Sequence, residues 1–356
     1  MHPRFFLLPL SLVLAFGTAA VSPTAQTTAP ASSMSATANA VAAVQAFLAT
    51  LNPAQRAKAN IDLTETTRVV WSNLPTGIAM QVGAKERNGV KFGDMTPPQE
   101  KAALAVLAAV LSPDGFQKVM AIVDADQALE VESAPKRAAT AAIRFGRAEY
   151  YLGILGTPST STPWMIQFGG HHLAVNVTLA GNANVLAPTH TGAQPATYTM
   201  AGRTIRPLGD ENDKAFALVN ALTPEQQKEA ILGATVMNLV LGPGTDGKMI
   251  APEGVRAAAF TPAQRTMLLG LVREWVDILG AEAATAKMKE VEAGLADTYF
   301  AWAGPTTNGR GAYFRIQGPT VLIEYAPQGQ GANNTDHIHT IYRDPTNDYA
   351  AKVTRR

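Results

Sequence analysis

Four short segments of the chain share one pattern, a large apolar residue followed by Asn or Thr, then Pro, a variable residue and Gln. They occupy residues 51–55, 95–99, 222–226 and 260–264. The Asn or Thr oxygen can accept a hydrogen bond from an early helical N–H, and Pro fits the first helical position because its missing N–H is not needed there. Gln at the third position can bond back to the cap. Each segment therefore predicts the start of an α-helix.

The four helix starts fall into two pairs, which suggests an internal duplication. Residues 46–59 align without gaps on residues 217–230, and strand-like residues 164–176 align on residues 312–324. The offset between the copies decreases along the chain, as a duplication followed by deletions would produce. Chance similarity between two helix-capping solutions is the alternative. The predicted half-repeats are residues 40–205 and 212–345.

In each half the predicted helices precede segments that read as strand, Gly turn and strand, as in residues 164–176. This order favours an α+β fold in which antiparallel β-hairpins form one sheet layer, with pseudo-twofold halves. The chain has 356 residues, of which 47% are hydrophobic, and this is ample material for a core.

The N-terminus predicts export. Arg4 precedes an apolar run, Phe5–Phe16, and small residues allow cleavage after Ala20, so residues 1–20 resemble a secretory signal peptide. The run is too short to span a membrane as a helix, although an uncleaved anchor is the alternative, and no later segment is long and apolar enough. We expect a periplasmic or extracellular protein. Outside the signal peptide and the folded domain, the sequence predicts a disordered lead-in at residues 21–39 and a tail at residues 351–356.

Composition excludes several kinds of site. The chain has no Cys, which rules out disulfides and Cys-ligated metals. The 29 basic and 28 acidic residues leave a net charge of +1, so no nucleic-acid partner is expected. Neither a nucleotide nor a flavin signature follows a strand, and no Gly-x-Ser-x-Gly motif is present. We therefore expect a small-molecule ligand or substrate; the sequence leaves the oligomeric state open.

Five of the six histidines lie in two strand-like segments. In the first segment, strand alternation places His172 and Asn176 on one face, opposite an apolar face. In the second, His337 and His339 are two residues apart and share a face, which is a common arrangement of metal ligands. The five are His171, His172, His190, His337 and His339.

These histidines predict a metal site. By the repeat, Glu324 corresponds to Asn176, so His172, His337, His339 and Glu324 offer three imidazoles and one carboxylate. That set suits one divalent ion of Zn, Fe, Mn or Cu. A metal-free polar pocket and purely structural histidines are the alternatives.

Other polar residues predict a pocket beside the histidines. Tyr313, Arg315 and Gln317 share one strand face and could bind a carboxylate or phosphate, with Arg315 bonding through both guanidinium nitrogens. Surface ion pairing is the alternative for the charged residues near His339. The remaining predicted pocket residues are His171, Asn176, Tyr342 and Arg343.

Several runs of the chain together resemble one known family; they are residues 168–176, 300–305, 313–319, 323–325 and 337–345. These runs are similar to the bacterial DUF3500 family. The resemblance covers about residues 60–350, within a predicted domain at 40–350. The family is uncharacterised, so the resemblance implies no activity. Its members usually have Asn before the His-Ile-His run, where this chain has Asp336.

Two functions follow from these patterns. The first is an exported metal-dependent enzyme, in which Glu324 is a metal ligand or base and Arg315 orients a small anionic substrate. A hydrolase is favoured over an oxidase, because one open position on a redox-inert metal is the simplest use of such ligands. The alternative is a non-catalytic exported protein that binds a small ligand or a metal in the same pocket.

Overall fold

The chain is described here from a computed structural model, which covers Met1 and residues 35–78, 86–136, 142–329 and 334–354. Apart from Met1, the predicted signal peptide lies outside these residues, as does the predicted lead-in up to residue 34. The first helix begins at Ala36, so the last four residues of the predicted lead-in are helical.

Helices begin where the capping pattern predicts them. Four helices start at the expected Pro, and each has the reciprocal hydrogen bonds of a capping box; they are Pro53–Ala59, Pro97–Val110, Pro224–Ala230 and Pro262–Val276. The sequence prediction of these four starts is confirmed. The helices are α1 (Ala36–Thr50), α2 (Pro53–Ala59), α3 (Pro97–Val110), α4 (Pro113–Ser133), α5 (Gly209–Asn220), α6 (Pro224–Ala230), α7 (Pro262–Val276), α8 (Ala281–Ala293) and α9 (Ala351–Thr354).

Most strands join one large sheet. The strands are β1 (Asn60–Ile61), β2 (Val90–Lys91), β3 (Tyr151–Leu155), β4 (Trp164–Gly170), β5 (Leu173–Ala180), β6 (Ala183–Val185), β7 (Thr189–Ala193), β8 (Tyr198–Met200), β9 (Arg203–Ile205), β10 (Ile231–Gly233), β11 (Val255–Arg256), β12 (Tyr299–Ala303), β13 (Tyr313–Gln317), β14 (Leu322–Pro327) and β15 (Ile338–Arg343). The order across the sheet is β1-β3-β4-β5-β7-β15-β14-β13-β12-β10. Strands β2, β6 and β11 add to β3, β5 and β12, while β8 and β9 form a separate hairpin.

The α+β class is confirmed, but the sheet is mixed rather than purely antiparallel. Strand β1 runs parallel to β3, and β10 runs parallel to β12. In each case two long helices lie between the paired strands in the chain, and a connection of that length lets the second strand run in the same direction as the first. The expectation of antiparallel hairpins alone is therefore wrong at both edges of the sheet.

Both faces of the sheet are buried. On one face, Phe168 and Phe314 pack with Leu107 and Trp275 of the helices in a large apolar cluster. On the other face, smaller clusters form against irregular segments, as where Ile341 packs with Leu241 and Leu322. Polar side chains on this second face are consequently buried as well, and each needs a partner inside the protein.

The two halves of the sheet meet at an antiparallel pair, β7 and β15. Thr191 lies opposite Thr340, and their hydroxyl oxygens are 2.6 Å apart. The described residues from Ser35 onward belong to one compact unit. None of the helices among the described residues combines the length and apolar character that a bilayer crossing requires.

Candidate metal centre

The first part of the centre is the tight turn between β4 and β5. His172 has a φ of 65°, in the left-handed region that few residues other than Gly adopt. Two hydrogen bonds hold the turn in place. The His172 N–H donates to the Asn73 carbonyl at 3.1 Å, and the Tyr150 hydroxyl donates to the His171 carbonyl at 2.6 Å. Surrounding contacts therefore fix an unfavourable backbone conformation beside an imidazole, as is typical of functional sites.

The second part lies at the start of β15, where His337 immediately precedes the strand and His339 is its second residue. Strand β7 lies between β5 and β15 and pairs with both. This arrangement brings together histidines that are 165 positions apart in the chain. The Nε2 atoms of His172 and His337 are 2.8 Å apart, and those of His337 and His339 are 3.0 Å apart.

The three imidazoles of His172, His337 and His339 offer nitrogens that lie within 4.8 Å of one another. Ligand nitrogens about 2.0–2.1 Å from a tetrahedral zinc ion are about 3.3 Å apart. The observed separations are a few tenths of an ångström smaller, so a slight spreading of the rings would admit an ion. His172 is buried, whereas His337 and His339 are half-buried.

Burial keeps these imidazoles neutral. Burial and the neighbouring histidines lower the pKa of His172 well below its usual value. Burial likewise lowers the pKa of His337 to about 4, and the pKa of His339 is lowered further for the same reason. Neutral imidazoles have a free ring lone pair, which is the form that binds metal ions.

Gly192 of β7 lies directly beneath two of the rings. A Cβ atom at this position would be 3.1 Å from Cδ2 of His339 and 3.3 Å from Cδ2 of His172. It would also be 2.7 Å from the Ile338 carbonyl oxygen, a distance that requires a shift. The close approach of the rings to β7 therefore depends on the absence of a side chain here.

Asp126 of α4 is a candidate site residue that the sequence analysis missed. Its fully buried carboxylate is 2.6 Å from Nδ1 of His171 and also accepts the Gly146 N–H at 2.8 Å. Asp126, His171 and His172 form a second group whose ligand atoms lie within 4.8 Å of one another. The signal was present in the sequence, because Asp126 continues an apolar helix face and a carboxylate there needs a buried partner. That face contains Val119, Ile122 and Val123.

His190 also lies in the cluster. It is fully buried, and neither ring nitrogen has a hydrogen-bond partner among the described residues. Its ring centroid is 5.0 Å from that of His339, and burial lowers its pKa to about 3. His190 therefore adds a fourth neutral imidazole beside the three whose nitrogens converge.

Glu324 is engaged by an irregular segment of the chain and by Tyr313. Its carboxylate accepts the backbone N–H groups of Val240 and Leu241 at 2.9 and 2.7 Å, and the Tyr313 hydroxyl donates to it at 2.6 Å. Burial and this carboxylate raise the pKa of Tyr313. Glu324 is in neither group of converging ligand atoms. These hydrogen bonds satisfy the buried carboxylate, and two of them hold residues 240–241 against the sheet.

The predicted anion-binding residues on β13 are also engaged elsewhere. Arg315 is buried and forms an ion pair with Glu253 at 2.6 Å. The Gln317 side chain donates to the Ile250 carbonyl at 2.8 Å. Both residues hold the segment before β11 against the sheet, so the structure does not bring them to the histidines.

The remaining predicted pocket residues have structural partners. Asn176 donates to the Pro188 carbonyl at 2.8 Å, and Tyr342 packs in the core on the helical face of the sheet. Arg343 bonds to the side chains of Asp246 and Asp348 at 3.0 and 2.9 Å. Of the predicted pocket residues, His171 is the one that contacts the three-histidine group.

A family model described as a protein of unknown function, DUF3500, matches residues 33–351 of the 356-residue chain. The chain matches no curated protein and no solved structure.

Proposed function

The chain belongs to the DUF3500 family, whose description states no activity, and from its histidine cluster we propose that it is a metal-dependent hydrolase. In this proposal His172, His337 and His339 hold a divalent transition-metal ion. The observation that carries it is the convergence of their three Nε2 atoms, two pairs of which are 2.8 and 3.0 Å apart.

The number and exposure of the ligands favour catalysis. Structural zinc sites are closed by four protein ligands, whereas catalytic sites have three and leave a position for water or substrate. Here three imidazoles converge, and two of them, His337 and His339, are only half-buried. A divalent ion bound here would lower the pKa of a water ligand, and so would supply a hydroxide nucleophile near neutral pH. Imidazole ligands suit Zn, and also Fe and Cu.

A second function has an observation in its favour. Glu324 and Arg315, the residues predicted to act on the substrate, both hold backbone segments or partner side chains instead. A protein that binds a metal or a small ligand without turnover needs neither residue at the ion. We therefore keep non-catalytic binding as the competing proposal.

Metal binding by the untagged chain, expressed without residues 1–20 and stripped with chelator, tests the proposal. We expect at least one equivalent of Zn(II) to bind in calorimetry and elemental analysis, and the His337→Ala/His339→Ala double variant to lose one equivalent. Thr335→Ala, an exposed change just before the histidines, should bind like the wild type. Protein that binds none of Zn, Fe, Mn or Cu, and whose melting temperature ignores them, would contradict the proposal.

A panel of chromogenic carboxylic and phosphate esters then separates the two functions. Metal-dependent turnover that the double variant lacks supports a hydrolase. Tight metal binding with no turnover of any ester supports non-catalytic binding.

We also propose that the protein is exported and cleaved after Ala20. The support is the sequence pattern of Arg4, the apolar run and the small residues near Ala20. Sequencing the N-terminus of protein secreted by a bacterial host should give Val21. A mature chain that still begins at Met1 would contradict cleavage.

We infer that the two halves arose by duplication. Support comes from strand pairing, since β3, β4 and β5 with their short partners β1 and β2 match β12, β13 and β14 with β10 and β11. Thr191 and Thr340 face each other at the centre, 149 positions apart. At the same offset, His190 corresponds to His339.

Side-chain pairs support the same inference. Asn88 bonds to Gln167 at 2.7 Å in the first half, and Glu253 bonds to Arg315 at 2.6 Å in the second. Asn88 corresponds to Glu253, and Gln167 corresponds to Arg315. The pair in the first half is neutral, whereas the pair in the second half is charged. An experimental structure in which the halves do not superpose would contradict the duplication.

A further inference from the structure

His172 has two ring nitrogens, and the three-histidine group uses only one of them. Its Nε2 atom faces His337 at 2.8 Å. Its Nδ1 atom is buried and has no hydrogen-bond partner among the described residues. Ring nitrogens of metal-binding histidines normally have a partner on the far side, so this orphaned atom requires an explanation.

The second group of potential ligands lies beside the same ring. Asp126 is fully buried, and its carboxylate is 2.6 Å from Nδ1 of His171. The His171 and His172 rings have centroids 3.6 Å apart, and all three residues offer ligand atoms within 4.8 Å of one another. His172 is the member that the two groups share.

We infer that the protein holds a second divalent cation between Asp126, His171 and His172, and that the His172 imidazole bridges the two ions. Nε2 binds the first ion with His337 and His339, and Nδ1 binds the second. When the second ion binds, the remaining ring N–H proton of His172 leaves to solvent, and the ring becomes an imidazolate. This inference rests on the proposed function, because the bridge requires the first ion.

The donor set and charge fit a second cation. One carboxylate and two imidazoles suit a divalent transition metal of the kind proposed for the first group. The short Asp126–His171 contact resembles the short contacts between the three histidines, and in both places an ion would replace a direct hydrogen bond. The imidazolate places one negative charge between the two cations and the buried Asp126 carboxylate adds a second at the second ion, which offsets the cost of bringing the ions close.

Titration of chelator-stripped, untagged protein with Cu(II), followed by elemental analysis and electron paramagnetic resonance, tests the bridge. We expect two equivalents to bind. The first should give a full one-spin signal, and the second should lower the integrated signal below two spins per chain, since an imidazolate couples two Cu(II) ions magnetically.

Two variants locate the second ion. Asp126→Asn should bind one equivalent with a full one-spin signal, a twofold loss of copper. Asp124→Asn, which changes a half-buried carboxylate two residues earlier on the same helix, should behave like the wild type. If Asp126→Asn does not fold, the copper content and spin count of the wild type decide the question alone.

The outcomes distinguish this inference from the proposed function. Wild-type protein that binds no ion contradicts both. One equivalent that is lost in His337→Ala/His339→Ala and unaffected by Asp126→Asn leaves the proposed function standing and overturns the second ion. Two equivalents with additive spins overturn the bridge.

Discussion

At the scale of single residues, Gly192 controls how closely the rings approach β7. We expect Gly192→Ala to weaken Zn(II) binding by about 10–100-fold, the range for changes that misplace metal ligands. The added methyl group would meet a backbone oxygen at 2.7 Å and two imidazoles at 3.1 and 3.3 Å. The same crowding should lower the free energy of unfolding of metal-free protein by about 1–3 kcal/mol. Calorimetry and urea denaturation measure the two effects.

Gly270 provides the matched control. It lies within α7, and a Cβ atom there meets nothing within 4 Å. Gly270→Ala should leave metal affinity unchanged and raise stability by up to about 1 kcal/mol, because Ala favours a helix. Equal metal affinities for the Gly192 and Gly270 variants would show that the rings do not depend on this contact.

The sequence predicted the three converging histidines but not the environment of Glu324. Strand alternation placed His337 and His339 on one face, because residues two positions apart in a strand point the same way. The fate of the Glu324 carboxylate depends on Val240 and Leu241, which lie in an irregular segment with no periodicity. No pattern in such a segment indicates which strand it will cover.

At the scale of elements, the capping glutamines also join helices. Gln55 and Gln99 exchange side-chain hydrogen bonds at 2.9 and 3.3 Å, and Gln226 and Gln264 do so at 2.8 and 3.1 Å. Each cap was predictable from its own five residues. The links between caps were not, because they require two helix starts, distant in sequence, to lie side by side.

We expect Gln99→Ala and Gln264→Ala to lower the free energy of unfolding by similar amounts, about 1–3 kcal/mol each, because each removes a buried side chain that makes several hydrogen bonds. Both side chains cap their helix, bond a second glutamine and donate to a backbone carbonyl, that of Thr50 or Ala221. Urea denaturation measures the effect.

Gln117→Ala, at an exposed position within α4, is the control and should change stability by less than about 0.5 kcal/mol. A large loss in only one of the two cap variants would contradict the equivalence of the halves.

The edge strands show a limit of pattern reading. Strand β1 has two residues and β10 has three, so neither is long enough to show an alternation of apolar and polar residues. Their parallel pairing depends on the path of the chain through two intervening helices. The hairpins in the middle of the sheet have both an alternation of apolar and polar residues and a Gly turn, so the sequence predicted them more fully.

At the scale of the whole molecule, the α+β class followed from the order of predicted helices and strands. The burial of both sheet faces did not follow, since it depends on long segments such as residues 234–254 covering the second face. That burial explains the roles of Arg315 and Gln317, which hold this segment in place.

The pairing of β7 with β15 has a consequence for how the protein matures. His172 comes from the first half of the chain and His339 from the last strand, so no partial chain that ends before β15 possesses both. Contacts that join such distant parts of a sequence form slowly. Ion uptake would then mark the completion of folding, and a newly made chain would be unable to capture metal before its final strand is in place.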